Sequence, residues 1–267
     1  MSLKIYTPNE FKNLVPPKCI FLVNPIVPLG GIIFVYGKSG VGKSPLSWAL
    51  ADAVVQGTDF LGMQTGDPAS VLYIDIDTRW WIIQERWKAA GYEPKFDVGV
   101  GEGFNCMSPF WEHSSIRQEL LERQAKYHYK LVIISTLAKV HAFNVSDANI
   151  PAQVYLRWQA LFGEECSIMF LHHDKKTVIQ GDVNDDNLYH ITRESFSGNQ
   201  QWLDHATTAI HLKRQGSDYK FLLEQVKDQG SRKIEPINCC LNALGVGIEI
   251  DAEPIGKKGK LGINDLL

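Results

Sequence analysis

Apolar positions along the chain fall into two alternating patterns. Ile32-Ile33-Phe34-Val35-Tyr36 is an uninterrupted apolar run that reads as a buried strand. Leu46, Ala49, Leu50, Ala53 and Val54 then recur at i, i+3, i+4, i+7 and i+8, one face of a helix that Gly57 would stop. Val71-Leu72-Tyr73-Ile74 predicts a second strand, ending in Asp75-Ile76-Asp77-Thr78, and a helix runs on to about Ala90 before Gly91. The paired Trp80-Trp81 in that helix reads as core, with a base-stacking surface as the other option. Phe96 to Gly103 reads as a short strand and loop. Ser114 or Ser115 would cap a helix turning Ile116, Leu120 and Leu121 inward. Leu131-Val132-Ile133-Ile134 and Ile168-Met169-Phe170-Leu171 read as central parallel strands, with a helix marked by Val154, Trp158, Leu161 and Phe162 between them. Ala206–Leu212 and Tyr219–Val226 predict a hairpin, and Ile234–Leu241 holds a further strand. Strands alternating with helices predict an α/β fold: a mostly parallel central sheet flanked by helices, with antiparallel strands added at the C-terminal side. The expected organisation is an N-terminal arm over 1–30, an α/β domain over 31–250 and a mobile tail over 251–267.

The strongest chemical signal lies between the first strand and its helix. Gly37-Lys38-Ser39-Gly40-Val41-Gly42-Lys43-Ser44 has the spelling G-x-x-x-x-G-K-[ST] in strand–loop–helix context. Three glycines let the backbone curl so that its N–H groups face a phosphate chain, and the helix dipole adds positive charge. Lys43 reaches the β- and γ-phosphates, and the Ser44 hydroxyl ligates Mg²⁺. An ordinary Gly-rich turn needs no Lys-Ser at its end. Pro45 completes the expected cradle and is tolerated in the first helical turn, where N–H groups lack helical partners.

Composition narrows the setting. The 267 residues suit one large α/β domain, and the formal charge of −3 offers no broad basic field for nucleic acid. The five cysteines are odd in number and lack metal-ligand spacing, which points to free thiols. The sequence has no apolar run of spanning length and no basic-then-apolar leader, so the expectation is a cytoplasmic protein without a membrane partner.

The order of elements from about residue 20 to 240 resembles the RecA-type ATPase core, in particular the branch with DnaB-like and RepA-like hexameric helicases. The stretches that carry the resemblance are Gly37–Ser44, Gly57–Gly62, Val71–Asp77, Leu131–Ala138, Phe170–His173 and the hairpin ending Val226-Lys227-Asp228-Gln229-Gly230. The resemblance implies ATP and Mg²⁺ as ligands and self-assembly into a ring or filament, a hexamer in that branch. Single-stranded DNA is the implied polymer.

It also implies roles. Asp77 would polarise the attacking water, although the family usually has Glu there, and capping of the next helix is the plainer role. The family's Mg²⁺-binding Asp falls at Ser135. That departure leaves three options: Mg²⁺ held by Ser44, phosphates and water; compensation by Asp75 or Asp77; or binding without useful turnover. Of His172 and His173, His173 would sense the γ-phosphate, with polar punctuation after a strand as the alternative. Lys227 would reach a neighbour's phosphate, and because Gln229 fills the second basic position, an arginine finger would move to Arg232 or Lys233. The DNA-facing segments would be 141–149 and 174–196. In the second, acids outnumber bases, a poor match for a phosphate backbone, while Tyr189 and Phe196 could stack on bases. The sequence therefore supports a helicase-type ATPase coupled to single-stranded DNA, or an ATP-binding assembly or regulatory protein with weak hydrolysis. A small-molecule kinase ranks third, because no Arg-rich lid is visible.

Overall fold

The computed structural model describes residues 4–15, 20–101, 113–139, 150–174, 201–216, 219–228 and 233–251. Its centre is a nine-stranded sheet in the order β11-β10-β9-β8-β3-β7-β6-β4-β5. The parallel part comprises β3 (Ile32–Gly37), β4 (Val71–Asp75), β5 (Asp97–Val100), β6 (Leu131–Ser135), β7 (Ser167–His173) and β8 (Thr208–Arg214). β9 (Lys220–Asp228), β10 (Ile237–Leu241) and β11 (Ile248–Ile250) extend the sheet antiparallel on the β8 side. β11 lies outside the predicted strands, because three residues are too few to establish a period.

Helices cover both faces. α2 (Lys43–Gln56) and α3 (Trp80–Ala89) go with one core, built on Val35, Tyr73, Ile133 and Leu171. α4 (Ser114–Tyr127), α5 (Ile150–Phe162) and the short α6 (Gln201–His205) close the other, built on Phe34, Ile134, Phe170 and the fully buried Trp158 and Trp202. Burial on both faces explains why the central strands read as continuous apolar runs. Each such large side chain contributes about 1.5–3 kcal/mol through burial.

Four expectations change. The arm divides. α1 (Pro8–Lys12) buries nothing, whereas β1 (Phe21–Val23) and β2 (Val27–Pro28) pair as a hairpin with Val23, Ile26 and Val27 fully buried. Trp80 and Trp81 are exposed, packed edge to face on each other, with Arg79 over the Trp81 ring. α3 instead turns Ile83 and Trp87 inward, and Trp87 meets Trp48 and Tyr92. Leu121 is exposed, because the inward stripe of α4 runs through Ile116 and Leu120. The cap of α4 is His113, without a side-chain hydrogen bond, so Ser114 already sits inside the helix. Among the described residues no helix is long and apolar enough to cross a membrane.

Candidate functional site: a nucleotide cleft at the strand ends

β3 delivers its last residue, Gly37, to the carboxyl edge of the sheet, and the loop returns into α2. Gly40 and Gly42 take φ of 74° and 108°, left-handed values that favour glycine. A Cβ on Gly37 would stand 2.6 Å from the Leu212 carbonyl oxygen. The Lys43 ammonium is buried and donates to the carbonyls of Gly37 at 2.8 Å and Lys38 at 2.9 Å. Burial pulls its pKa down to about 8, with Asp174 and then Asp77 opposing that shift. Arg214 Nη2 donates to the Gly40 carbonyl at 3.0 Å, tying the end of β8 to the loop.

The loop forms one wall of a cleft of about 390 Å³. Ser39, Gly40, Gly42, Lys43, Ser44 and Pro45 line it. Gly37 and Lys38 are not among the lining residues but supply the carbonyls that hold Lys43, and Val41 is buried. The facing wall comes from strand ends: Asp77 and Thr78 after β4, Ser135 and Thr136 at β6, and Leu171 and His173 on β7. Arg86 from α3 and Leu241 from β10 complete it. Thr78, Thr136, Arg86 and Leu241 went unread in the sequence. Arg86 had a usable signal, an arginine on the helix that directly follows the acid-bearing strand end.

Asp77 is exposed on the cleft wall. Asp75 is not among the residues lining the cleft. Its Oδ1 accepts the backbone N–H groups of Asp77 at 2.9 Å and Thr78 at 2.8 Å, and its Oδ2 accepts the Tyr73 hydroxyl at 3.1 Å. Burial raises its pKa. Both oxygens of Asp75, expected as a metal ligand, are thus engaged within the chain, Oδ1 by the turn and Oδ2 by Tyr73. Asp75 pairs in register with Ser135, one strand over. A buried carboxylate and the Ser135 hydroxyl thus end neighbouring strands.

β7 separates the two histidines. His172 is buried in the row of Tyr36, while His173 is half-buried at the cleft. Burial, then Lys43, lowers the His173 pKa and favours the neutral imidazole. Lys227 does not point outward to a neighbour. Its ammonium is buried and donates to the Leu203 and Asp204 carbonyls, in α6 of its own chain. Those carbonyls belong to a helix end, where a cation is favourable. Lys233 is exposed; Gln229 and Arg232, and the segments 140–149 and 175–200 with Tyr189 and Phe196, lie outside the described residues. No group of three or more His, Cys, Asp or Glu suited to a metal ion occurs among the described residues.

A second hollow of about 230 Å³ lies between β5 and α4. Ile74, Val98, Val100, Ile116 and Leu120 give it apolar walls, and it lacks a phosphate loop.

A mostly parallel sheet with this loop at the tip of β3 and antiparallel strands beyond β8 defines a RecA-type P-loop ATPase. The chain belongs to the AAA domain family, whose model matches residues 7–178. Among solved structures it is similar to the flagellar accessory protein FlaH from Methanocaldococcus jannaschii, with 16% identity and a TM-score of 0.53 over 85% of this chain and 91% of that one. That likeness is one of fold.

Proposed function

We propose that this chain binds Mg²⁺-ATP in the cleft, hydrolyses it slowly, and works as a nucleotide-dependent switch in assembly or regulation. The observation that carries the reading is Ser135 on the strand-end wall, where the resembled ATPases place a carboxylate. The loop retains every group needed to hold phosphates, while the facing wall offers Ser135 as a neutral hydroxyl. The donor set suits Mg²⁺, which keeps several of its own waters and needs few protein ligands. The Ser44 hydroxyl would hold the ion directly, with Ser135 and Asp77 reached through water. When bound, the ion would offset charge on the β- and γ-phosphates.

The chain's own residues divide the remaining work. Lys43 leaves the Gly37 and Lys38 carbonyls and neutralises the phosphates. Asp77 accepts a proton from the attacking water at its carboxylate. Neutral His173 donates a hydrogen bond toward the γ-phosphate. Asp75, by accepting the Asp77 and Thr78 N–H groups, holds the turn that presents Asp77.

A second reading is a ring-forming motor on single-stranded DNA. One observation supports it: β6 and β7 bring Ser135 and His173 to the cleft, and the segments 140–149 and 175–200 come after these strands in the sequence. With Lys227 engaged within its own chain, Lys233 or Arg232 would supply the neighbour's basic group. ATP hydrolysis measured with and without Mg²⁺ and single-stranded DNA, beside solution mass, separates the readings. The switch reading expects tight, DNA-independent nucleotide binding with slow, Mg²⁺-dependent turnover. Fast turnover that needs DNA would replace it with the motor.

A further inference from the structure

One polar cluster under the phosphate loop has no role in the reading above. His211, Tyr36 and His172 share one row across β8, β3 and β7, and Asp174 follows two residues after His172, on the same face. Asp174 Oδ2 lies 3.2 Å from His211 Nε2, and the side chains are only 10% and 4% exposed. The His211 ring stacks on Tyr36 with centroids 4.6 Å apart and an 11° tilt. The backbone N–H of Asp174 donates at 3.3 Å to the Gly37 carbonyl, the same oxygen that holds the Lys43 ammonium. Asp174 Oδ1 is buried without a hydrogen-bond partner among the described residues.

Such an oxygen is costly to bury, and the charges around it explain why it is kept. Asp174 acts electrostatically on Lys43 from α2, on His173 beside it in β7, and on Lys213 of β8. Asp77 acts on Lys43 and His173 from the other wall, and Glu224 of β9 faces Lys213 and pairs in register with His211. Asp174 is not among the cleft-lining residues, so it would act through Lys43 and the loop. In the nucleotide-free loop its charge favours the ammonium seated on the Gly37 and Lys38 carbonyls. When polyphosphate enters, Lys43 turns to the new anion and Asp174 is left as a like charge at the base of the loop. How strongly it opposes the phosphates then depends on His211.

We propose that Asp174 is a built-in counter-charge that restrains nucleotide affinity by holding Lys43 to its own loop, and that His211 sets the strength of this restraint. The inference rests on the cleft being a nucleotide site.

Calorimetric titration with ADP, and with a non-hydrolysable ATP analogue, tests it at about pH 6.5, where a lysine pulled down to about 8 keeps its charge. Asp174→Asn removes the charge at constant shape and should tighten binding by about threefold to tenfold. His211→Phe keeps the stack on Tyr36 but removes the partner of the carboxylate, and should weaken binding by a similar factor. The double variant should behave like Asp174→Asn, because His211 acts through the carboxylate. A purely structural pair would weaken binding in both single variants, and that result, or unchanged affinity in Asp174→Asn, overturns the proposal. If the asparagine variant does not fold by circular dichroism, Asp174→Ser removes the same charge and is held to the same outcome. Absence of binding by the unaltered chain would overturn the nucleotide reading beneath the proposal instead.

Discussion

The two walls of the nucleotide cleft are built on different principles. The loop wall, Gly37–Ser44, works mainly through backbone: glycines in left-handed conformations and a helix start, with Lys43 as its buried charged side chain. The strand-end wall works through side chains: Asp77, Ser135, Thr136 and His173. A backbone cradle tolerates little change, because a Cβ at Gly37 meets the Leu212 carbonyl and one at Gly42 crowds Phe221 and Leu241. A side-chain wall can trade one group for another while the ladder beneath it, with Asp75 in register with Ser135, stays the same. On the proposed reading, binding and turnover are separable: the loop would set the first and the strand ends the second.

That separation predicts which variants break which property. The largest effect should come from Lys43→Ala, which removes charge-assisted hydrogen bonds to phosphate. Nucleotide affinity should fall by about thirtyfold to a hundredfold in calorimetry. Asp77→Asn should lower single-turnover hydrolysis by about a hundredfold and leave affinity nearly unchanged, since it removes a proton acceptor from the opposite wall. An equal loss of affinity would join the two walls into one binding unit and break the comparison. Tyr73→Phe should act more gently. It removes the hydroxyl that steadies Asp75, the carboxylate holding the turn that presents Asp77, so turnover should fall by about threefold to tenfold. Asp75 Oδ2 would also lose its donor, at about 1–3 kcal/mol in thermal or chemical unfolding. A variant that loses stability but keeps its turnover would confine Asp75 and Tyr73 to a structural part.

How far each wall could be read beforehand follows from the same physics. The loop was legible because its geometry needs particular residue types at fixed spacing. The central strands were legible because burial on both faces leaves unbroken apolar runs such as Leu131–Ile134 and Ile168–Leu171. Gly57 marked the end of α2, as its left-handed backbone and N–H donation to Ala53 require. The β1–β2 hairpin stayed hidden because Pro25 and Pro28 make a core element look like an arm. The exposure of Trp80 and Trp81 was not legible either, since aromatic residues are core by default and only the packing of Ile83 and Trp87 shows which face of α3 turns inward. In the strand-end wall, sequence order locates residues but not their partners. It brought Lys227 into view as a neighbour's reach, whereas its ammonium closes the end of α6. It brought Asp75 into view as a metal ligand, whereas its oxygens hold Tyr73 and the turn. Thr136 becomes visible only when the sheet gathers distant strand ends around one space.

The most direct test of the account compares ATP turnover, at saturating ATP and across Mg²⁺ concentrations, between the unaltered chain and Ser135→Asp. The account predicts that the added carboxylate raises turnover by about tenfold and sharpens its dependence on Mg²⁺, with affinity for ADP unchanged. Equal turnover and equal Mg²⁺ dependence in the two proteins would contradict it, because Ser135 would then not be the group that limits hydrolysis.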